Sequence, residues 1–255
     1  SPGALKIWLA ECTEIKNGVC VSKLNGKRVA ACVPMHTFGT PTKIHELSEI
    51  CKENNLILIE DAAEALGSFK SGKHVGTFGR CSILSFNGNK IITTGGGGMI
   101  LTDGSELAIK LKHLSTTAKL PHSYEYYHDS VGFNYRLPNL NAALGIAQMG
   151  KLANILQSKT KVHDAYLEFF RDKNPCLFNV EIDDIQPNYW LNALIVTNKN
   201  ERDEILQYTN QHGVMTRPLW HLLSDLPQFQ NCQSDGVERS RDLYERVVNL
   251  PSSVP

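Results

Sequence analysis

The stretch "SFNGNKIITTGGGGMILTD" (85–103) places one lysine between two strand-like runs, close to four consecutive glycines. The runs "CSILSF" (81–86) and "GGMILTD" (97–103) are rich in apolar residues, which is typical of strands. Lys90 therefore follows the end of a strand, where a lysine side chain is usually solvated. A second interpretation is a desolvated amine that forms a Schiff base.

The glycine run 95–98 matches neither of the common nucleotide-binding patterns. A phosphate-binding loop requires GxxxxGK followed by Ser or Thr, and no lysine follows these glycines. A dinucleotide-binding turn requires GxGxxG at the start of a helix, whereas a strand follows here. Because glycine allows positive φ and a close approach of the backbone, the functional interpretation is a turn beside a flat ligand.

A second polar group ends the apolar run "LILIED" (56–61). The preceding segment (42–55) has apolar residues at helical spacing, and a helix followed by a continuously apolar strand predicts a parallel sheet covered on both faces. Asp61 would then lie at the carboxyl edge of that sheet, where α/β proteins bind ligands. The alternative is that Asp61 caps the start of a helix in "EDAAEALG" (60–67).

The rest of the chain indicates a second, smaller unit. The polar and aromatic segment 116–136 is long for a loop, and long loops in compact domains are often functional. A helical pattern then runs from about 140 to 170. Strand, helix and strand patterns follow at 188–196, 201–213 and 214–220. We therefore predict a large cofactor-binding domain at 1–155 and a small C-terminal domain at 156–255.

The bulk composition narrows the class of protein. The 255 residues include 26 basic and 26 acidic side chains, which gives no indication of nucleic acid or an anionic membrane as partner. No apolar run is long enough to cross a bilayer. The seven scattered cysteines lack the spacing of a zinc site, so we predict no metal and expect reduced thiols in the cytoplasm.

The start "SPGALKIWLAEC" (1–12) has no initiator Met and is unlike a signal or transit peptide. The end "RVVNLPSSVP" (246–255) stops shortly after a strand-like run. We expect residues to be missing at both ends.

The combination of an aspartate at one strand end and a lysine at another suits pyridoxal 5'-phosphate. The carboxylate would keep the pyridine nitrogen protonated, and the amine would hold the aldehyde and later move protons. Hydroxyl and amide donors, with Ser85 and Asn134 as candidates, would bind the phosphate. Taken singly, each of these residues has a structural explanation, and it is the combination that points to the cofactor.

Five long motifs follow one another in an order that resembles a known family. They are "VPMHTFGTP" (33–41), "LIEDAAEALGS" (58–68), "GTFGRCSILSFNGNKIITTGGGGMILT" (76–102), "GFNYRLPNLNAALGIAQM" (132–149) and "TRPLW" (216–220). Together they resemble the DegT/DnrJ/EryC1/StrS family of pyridoxal-phosphate-dependent sugar aminotransferases. The resemblance implies the α/β architecture of fold type I: a mainly parallel sheet flanked by helices, in a large domain that is incomplete here, and a small C-terminal α+β domain.

The resemblance implies a role for each candidate residue. Lys90 resembles the Schiff-base lysine, and Asp61 resembles the partner of the pyridine nitrogen. Glu64 stands where the family usually has Gln, near the phenolic oxygen of the cofactor. Ser85 matches a phosphate-binding serine. Asn134 matches an asparagine that reaches the cofactor phosphate of the neighbouring subunit, which implies a homodimer with active sites at its interface.

The chain departs from the family pattern in two places. Gly96 replaces a glutamate that many relatives have after the lysine. We expect the family's N-terminal segment, which supplies a phosphate-binding loop and an aromatic ring over the cofactor, to be among the missing residues.

The details "SFNGNKIITTGGGG" and "TTAKLPH" (116–122) resemble the branch that acts on UDP-linked 4-keto-6-deoxy N-acetylhexosamines in legionaminic acid-type pathways. The implied reaction moves an amino group from glutamate to the 4-keto carbon of a nucleotide-linked 4-keto-6-deoxy sugar, for synthesis of bacterial surface glycans. Lys90 argues against the related dehydratases, which have His at this position. From another class, the alternative is a non-catalytic or truncated fragment that binds the cofactor weakly or not at all.

Overall fold

The structure is a computed structural model that describes residues 1–173, 176–177, 183–234 and 236–254. Contacts between Cα atoms divide the chain into two compact units. Unit 1 is Ser1–Asn154 with Asp184–Asn188, and unit 2 is Ile155–Asp183 with Tyr189–Pro255. Residues 184–188, which the sequence-based division placed in the small domain, therefore belong to unit 1. The assignment of the two parts as cofactor-binding and small domains stays a prediction.

The helices are, in chain order, α1 (Pro2–Cys12), α2 (Ile44–Glu53), α3 (Ser105–Ser115), α4 (Asn139–Met149), α5 (Leu152–Phe170), α6 (Lys199–Gln211) and α7 (Glu238–Arg246). The strands are β1 (Thr13–Lys16), β2 (Val19–Ser22), β3 (Ala31–Cys32), β4 (Ile57–Asp61), β5 (Phe69–Lys70), β6 (Lys73–His74), β7 (Cys81–Ser85), β8 (Gly98–Leu101), β9 (Cys176–Leu177), β10 (Ile185–Gln186), β11 (Asn192–Ile195), β12 (Arg217–Pro218) and β13 (Val247–Leu250).

The main sheet of unit 1 has the strand order β3-β4-β7-β8. The first two pairings are parallel and the last, between β7 and β8, is antiparallel. The parallel pairings confirm the predicted α/β sheet, and β8 makes it mixed. Because β8 runs antiparallel to β7, the segment that connects them begins and ends at the same end of the two strands.

The two faces of this sheet are buried to different degrees. Leu58 on β4 and Leu84 on β7 are buried. The neighbouring residues that point the other way are less buried, and Ile83 on β7 is 45% exposed. The expectation of a sheet covered on both faces is therefore wrong for the second face within the described residues. Asp61 pairs with Ile83 and so lies on this accessible face.

Helix α2 covers the buried face, as its sequence pattern predicts. Its apolar stripe is Ile44, Leu47, Ile50 and Cys51, and all four side chains are buried. Three of them pack in one cluster with Leu58 of β4 and with Leu9 of α1. This packing holds β4 in place, and β4 carries Asp61 at its end.

The long helical pattern at 140–170 forms two helices. Helix α4 ends at Met149, and α5 begins at Leu152 after a break at Gly150. Glycine has a low helix propensity, which explains why the chain bends at this position. The division between the two compact units falls just after this break, at Asn154 and Ile155.

Unit 2 contains a sheet with the strand order β12-β13-β11-β9, and all of its pairings are antiparallel. Its core includes Trp190, Leu194 and Val248. Lys159 of α5 is also buried, and its Nζ donates to the carbonyl oxygens of Trp190, at 3.0 Å, and Ser252. Burial lowers the pKa of Lys159 to about 8.

Among the described residues, none of the helices has the length and apolar character needed to cross a bilayer. The same part of the chain holds no group of three or more His, Cys, Asp or Glu side chains arranged to bind a metal ion.

Candidate active site

Asp61 lies in a turn at the carboxyl end of β4. Its Oδ1 accepts a hydrogen bond from the backbone N–H of Ala63 at 3.1 Å, and its own backbone is held by the segment before α2. The N–H of Asp61 donates to the carbonyl of Pro34 at 2.9 Å, and the N–H of His36 donates to the carbonyl of Asp61 at 3.1 Å. No helix begins directly after Asp61, so the helix-cap alternative is wrong.

Glu64 comes three residues after Asp61, and its side chain faces Lys90. The Oε1 atom of Glu64 lies 3.7 Å from the Nζ atom of Lys90, and the two side chains are 13% and 14% exposed. The interpretation of Lys90 as a fully solvated lysine is therefore wrong. The pairing places the carboxyl group of Glu64, three residues beyond the end of β4, beside the lysine that follows β7.

Burial has the largest effect on the Glu64 carboxyl group and raises its pKa above the usual value. Two interactions oppose the rise: a hydrogen bond from the backbone N–H of Phe38 and the charge of Lys90. The negative charge of Asp61 adds to the rise. Glu64 thus holds its proton to a higher pH than an exposed glutamate does.

The backbone at Phe38 is bent so that it can reach Glu64. Its N–H donates to Glu64 Oε2 at 2.8 Å, and its φ of 60° lies in the left-handed region. For a bulky residue this conformation costs about 1–2 kcal/mol. Gly39 follows with φ of 81°, and a Cβ there would lie 1.7 Å from Oδ1 of Asn188. The sequence-based interpretation missed this contact because positive φ at an aromatic residue leaves no pattern in the sequence.

The segment that carries Lys90 is fixed at both ends. The N–H of Phe86 donates to the carbonyl of Gly97 at 3.0 Å, and the N–H of Thr94 donates to the carbonyl of Phe86 at 3.0 Å. The side-chain amide of Asn141 on α4 donates to the carbonyl of Thr94. We call residues 86–97 the lysine loop.

The glycine run closes this loop. Gly95 and Gly97 have φ of 80° and 87°, which favours glycine. At Gly98, a Cβ would lie 2.4 Å from the carbonyl oxygen of Leu84. The glycines therefore allow β8 to pair closely with β7. This close pairing explains why they stand so near Lys90 in the sequence.

A buried pair of titratable side chains stabilises the backbone next to Asp61. Glu60 and His36 are both fully buried, with His36 Nε2 at 3.1 Å from Glu60 Oε2. The backbone N–H groups of Gly76, Phe78 and Gly79 also donate to the Glu60 carboxylate. Burial alone would raise the pKa of Glu60, but the hydrogen bonds from His36 and these N–H groups outweigh it, and the pKa is lowered.

This pair was not singled out from the sequence, although both residues stand in quoted motifs. A histidine and a glutamate next to strand ends are common, and only the three-dimensional contacts reveal them as a fully bonded group. Their effect is to fix the turn 74–79 against β4. Glu60 directly precedes Asp61, and the N–H of His36 donates to the carbonyl of Asp61. The pair therefore positions Asp61 through the backbone.

Ser85 and Asn134 complete the predicted set. Ser85 ends β7 and lies on the same face of the sheet as Asp61, because it is two residues beyond Ile83. Its Oγ accepts from the N–H of Asn87 at 3.4 Å. Asn134 is exposed and pairs with Thr116. The structure thus gathers Asp61, Glu64, Ser85 and Lys90 at one sheet edge, and the role of Asn134 toward a neighbouring subunit stays a prediction.

The chain is similar in sequence to the proteins of one known family. The model of the DegT/DnrJ/EryC1/StrS aminotransferase family matches residues 14–255. GDP-perosamine synthase of Escherichia coli O157:H7 is 34% identical over 229 residues, which cover 89% of this chain and 61% of that protein. The UDP-4-amino-4,6-dideoxy-N-acetyl-beta-L-altrosamine transaminase of Campylobacter jejuni is 35% identical over 161 residues, or 63% of this chain and 43% of that protein.

The fold of this chain is similar to that of a solved aminotransferase structure. PseC of Helicobacter pylori, an aminotransferase of pseudaminic acid biosynthesis, superposes with a TM-score of 0.83 at 25% sequence identity. The superposition covers 90% of this chain and 63% of PseC. The chain therefore spans less than two thirds of the length of these relatives.

Proposed function

The chain belongs to the DegT/DnrJ/EryC1/StrS aminotransferase family, and from that premise we propose that it acts in pyridoxal-phosphate-dependent transamination of a nucleotide-linked sugar. The observation that carries the proposal is the half-buried contact between Lys90 and Glu64 at the sheet edge where β4 presents Asp61. The carboxyl group of Asp61 and the hydroxyl of Ser85 lie at the same edge, on one face of the sheet.

Aminotransferases of this family use pyridoxal 5'-phosphate, and the groups at this edge fit its functional atoms. An amine with restricted access to water suits the aldehyde, and Lys90 is 14% exposed. A carboxylate suits a protonated pyridine nitrogen, and Asp61 is held rigidly by backbone hydrogen bonds on both sides. Ser85 offers a hydroxyl to the phosphate on the same face of the sheet. When bound, the cofactor supplies an electron sink for the bond changes at the amino carbon.

Lys90 and Asp61 would each have a separate role in the reaction. Lys90 would hold the cofactor and, when its amine is released, accept and return the proton at the reacting carbon. Asp61 would keep the proton on the ring nitrogen through its negative charge. Because the lysine loop is fixed at Phe86 and Gly97, the amine stays close to the edge where the substrate is turned over.

Glu64 would influence the protonation of the Lys90 amine. Its carboxyl group is close enough to Lys90 to attract the ammonium form, and its raised pKa makes that attraction depend on pH. A glutamine at this position, as in most of the family, would accept the same hydrogen bond from Phe38 without the charge. We therefore propose that Glu64 sets how the availability of the Lys90 amine changes with pH.

The substrate part of the proposal rests on the relatives. The names of the two enzymes above indicate a GDP-linked and a UDP-linked amino sugar. They support a nucleotide-linked sugar as the acceptor here. A 4-keto-6-deoxy sugar as that acceptor and glutamate as the amino donor are part of our proposal and rest on the resemblance to the family. A homodimer in which Asn134 reaches the neighbouring site belongs to the same proposal.

The test uses covalent trapping of the cofactor. The full chain is mixed with pyridoxal phosphate and treated with borohydride, and the modified peptide is identified by mass spectrometry. We expect near-visible absorbance before reduction and a cofactor mass on Lys90 after it. Lys90→Ala should lose both signals, while Lys70→Ala, on β5, should keep them.

Two results would contradict the proposal. Labelling that is equal in wild type and Lys90→Ala would show that other amines react non-specifically. Absence of both absorbance and label in the wild-type chain would favour the alternative of a non-catalytic fragment. A circular dichroism spectrum and melting temperature close to wild type would show that Lys90→Ala is folded.

A further inference from the structure

The turn that carries Glu64 is held by a residue from a distant part of the chain. Asn188 stands 124 positions after Glu64, belongs to unit 1 and is 2% exposed. Its side-chain nitrogen Nδ2 donates to the carbonyl oxygens of Glu64, at 2.8 Å, and Leu66, at 2.9 Å. One buried side chain therefore fixes the backbone at the residue that faces Lys90.

A second connection runs from Asn188 to the segment that contacts the Glu64 carboxyl group. The backbone N–H of Asn188 donates to Oγ of Ser68 at 3.0 Å, and this buried hydroxyl donates to the carbonyl oxygen of Gly39 at 2.6 Å. Gly39 directly follows Phe38, whose N–H donates to Glu64 Oε2 at 2.8 Å. Asn188 is thus connected both to the backbone of Glu64 and to the segment that binds its carboxyl group.

Gly39 packs directly against both partners in this network. Its φ is 81°, and a Cβ there would lie 2.6 Å from Cγ of Asn188 and 2.9 Å from the carbonyl oxygen of Glu64. The Asn188 amide therefore fills the space beside Gly39 in addition to donating hydrogen bonds. An alanine at position 188 would open this space and remove the Nδ2 donor from two carbonyl oxygens.

The position of the Glu64 carboxyl group determines how its charge acts on its neighbours. The charged groups that act on it are Lys90 and Asp61. Its Oε1 lies 3.7 Å from Nζ of Lys90, and both side chains are largely shielded from water. The Coulomb energy of such a pair depends on the distance between the charges. Contacts that fix Glu64 therefore also fix the effect of its charge on the amine.

We propose that Asn188 is a positioning residue of the candidate active site, which keeps the Glu64 carboxyl group beside the Lys90 amine. It acts by holding the Glu64 turn and residues 38–39 together, through its own amide and through Ser68. The inference rests on the proposed function, because that function uses the contact between Glu64 and Lys90.

The experiment measures how fast the Lys90 amine reacts with acetic anhydride at about pH 8, in the full chain before any cofactor is added. Mass spectrometry of the Lys90 peptide gives the rate. A neighbouring carboxylate favours the unreactive ammonium form, so Glu64→Gln should raise the rate by about threefold or more. Asn188→Ala should also raise it, because Glu64 is no longer held beside the amine. In the Glu64→Gln background, Asn188→Ala should add no further change, because the charge is already gone.

Asn192 provides a matched control. It is also a buried asparagine, at 3% exposed, its N–H donates to Oγ of Ser252 at 2.8 Å, and its Oδ1 lies 2.8 Å from Nδ1 of His163. These three residues belong to unit 2. Asn192→Ala should therefore lower the melting temperature, as Asn188→Ala does, but leave the reaction rate of Lys90 at the wild-type value.

Three results would overturn the inference. The first is an unchanged Lys90 rate in folded Asn188→Ala. The second is an equal increase in Asn192→Ala. The third is an increase that Asn188→Ala causes to the same extent in the Glu64→Gln background, because this would show general loosening of the chain. If Asn188→Ala does not fold, Ser68→Ala decides the question: a faster rate that disappears in the Glu64→Gln background supports the inference, and an unchanged rate overturns it.

The same measurements separate this inference from the proposed function. Dependence of the Lys90 rate on Asn188 through Glu64, in a chain whose Lys90 is not labelled by pyridoxal phosphate, would support the positioning role and contradict the proposed reaction. Cofactor labelling of Lys90 together with a rate that does not depend on Asn188 would overturn only the positioning role.

Discussion

Glu64 shows how one side chain in this site depends on its surroundings. It is nearly buried, it accepts a hydrogen bond from Phe38, and it faces Lys90. In the unfolded chain it titrates with the usual glutamate pKa, whereas burial raises the pKa in the folded chain. The folded state therefore binds the Glu64 proton more tightly than the unfolded state does.

The first prediction follows from the sign of that difference. As pH rises from about 4 to about 7, the contribution of Glu64 to the free energy of unfolding should fall, because the folded state must release a proton it holds more tightly. Glu64→Gln should not show this loss, so its stability relative to wild type should increase with pH. Urea unfolding of both proteins across this range measures it. Glu49→Gln, an exposed change on α2, should track wild type, and a constant difference between Glu64→Gln and wild type would contradict the explanation.

The second prediction concerns Asp61. An asparagine can still accept the hydrogen bond from Ala63, so Asp61→Asn should change the free energy of unfolding by no more than about 0.5 kcal/mol. It should nevertheless lower transamination by about tenfold or more, because an amide does not keep a ring nitrogen protonated. Steady-state rates and thermal melts of the two proteins provide the comparison. Unchanged transamination rates would contradict a role for Asp61 in the cofactor site.

At the level of the elements, the lysine loop depends on the return of β8 against β7. Gly98 is the point of closest approach, since a Cβ there would meet the Leu84 carbonyl at 2.4 Å. Gly96, two residues earlier, has open space around its Cα and no positive φ. The two glycines are therefore matched in sequence context and differ in packing.

The third prediction compares these positions. Gly98→Ala should lower the free energy of unfolding by about 1–3 kcal/mol, because backbone must move to relieve the clash. Gly96→Ala should stay within about 0.5 kcal/mol of wild type. Equal melting temperatures for both variants would show that β7 and β8 are more loosely paired than the structure indicates. Loss of borohydride labelling at Lys90 in Gly98→Ala alone would connect the pairing to the site.

Sequence patterns predicted the elements that have strong periodicity or strong propensities. They placed α2, β4, β7 and β8 within a few residues, because apolar spacing and flanking turn residues determine them locally. The apolar and β-branched run 27–36 has the composition of one longer strand, whereas β3 spans only Ala31–Cys32. Pro34 has no N–H to donate, so regular pairing stops before it, and Met35 contributes only an isolated bridge to Asp61.

For the site, the sequence predicted which residues would gather at the sheet edge but not how they are supported. Lys90 and Asp61 follow strands, so their common edge could be inferred from topology. The contact of Phe38 with Glu64 and the buried pair of His36 and Glu60 involve residues 24 to 26 positions apart in the chain. No local rule specifies such contacts, and they depend on how the segment before α2 packs.

On the scale of the whole molecule, the most informative feature is the apolar surface that unit 1 exposes. None of the residues of α4 is buried, although most of them are apolar. Ile146 on this helix is 76% exposed. Large exposed apolar patches are rare on proteins that remain monomeric, and they commonly mark interfaces. The proposed homodimer would cover such a surface.

The fourth prediction tests that surface. Wild-type chain should self-associate as its concentration rises, as measured by sedimentation velocity, and Ile146→Lys should weaken the association. Leu24→Lys is the control, because Leu24 is also 76% exposed but follows the hairpin of β1 and β2. A wild-type chain that is monomeric at all concentrations, or an equal effect of both variants, would contradict α4 as an interface.

The lysine loop has one more consequence, which concerns proteolysis. The peptide bond after Lys90 has the chemistry that trypsin cleaves, but the protease needs several residues on either side in an extended, accessible form. Ile91 and Ile92, on the far side of that bond, are only 6% and 2% exposed. The folded chain therefore protects this bond, and cutting it requires the loop to detach from both ends and draw two isoleucines out of the core. Digestion at Lys90 would report local unfolding of the candidate active site.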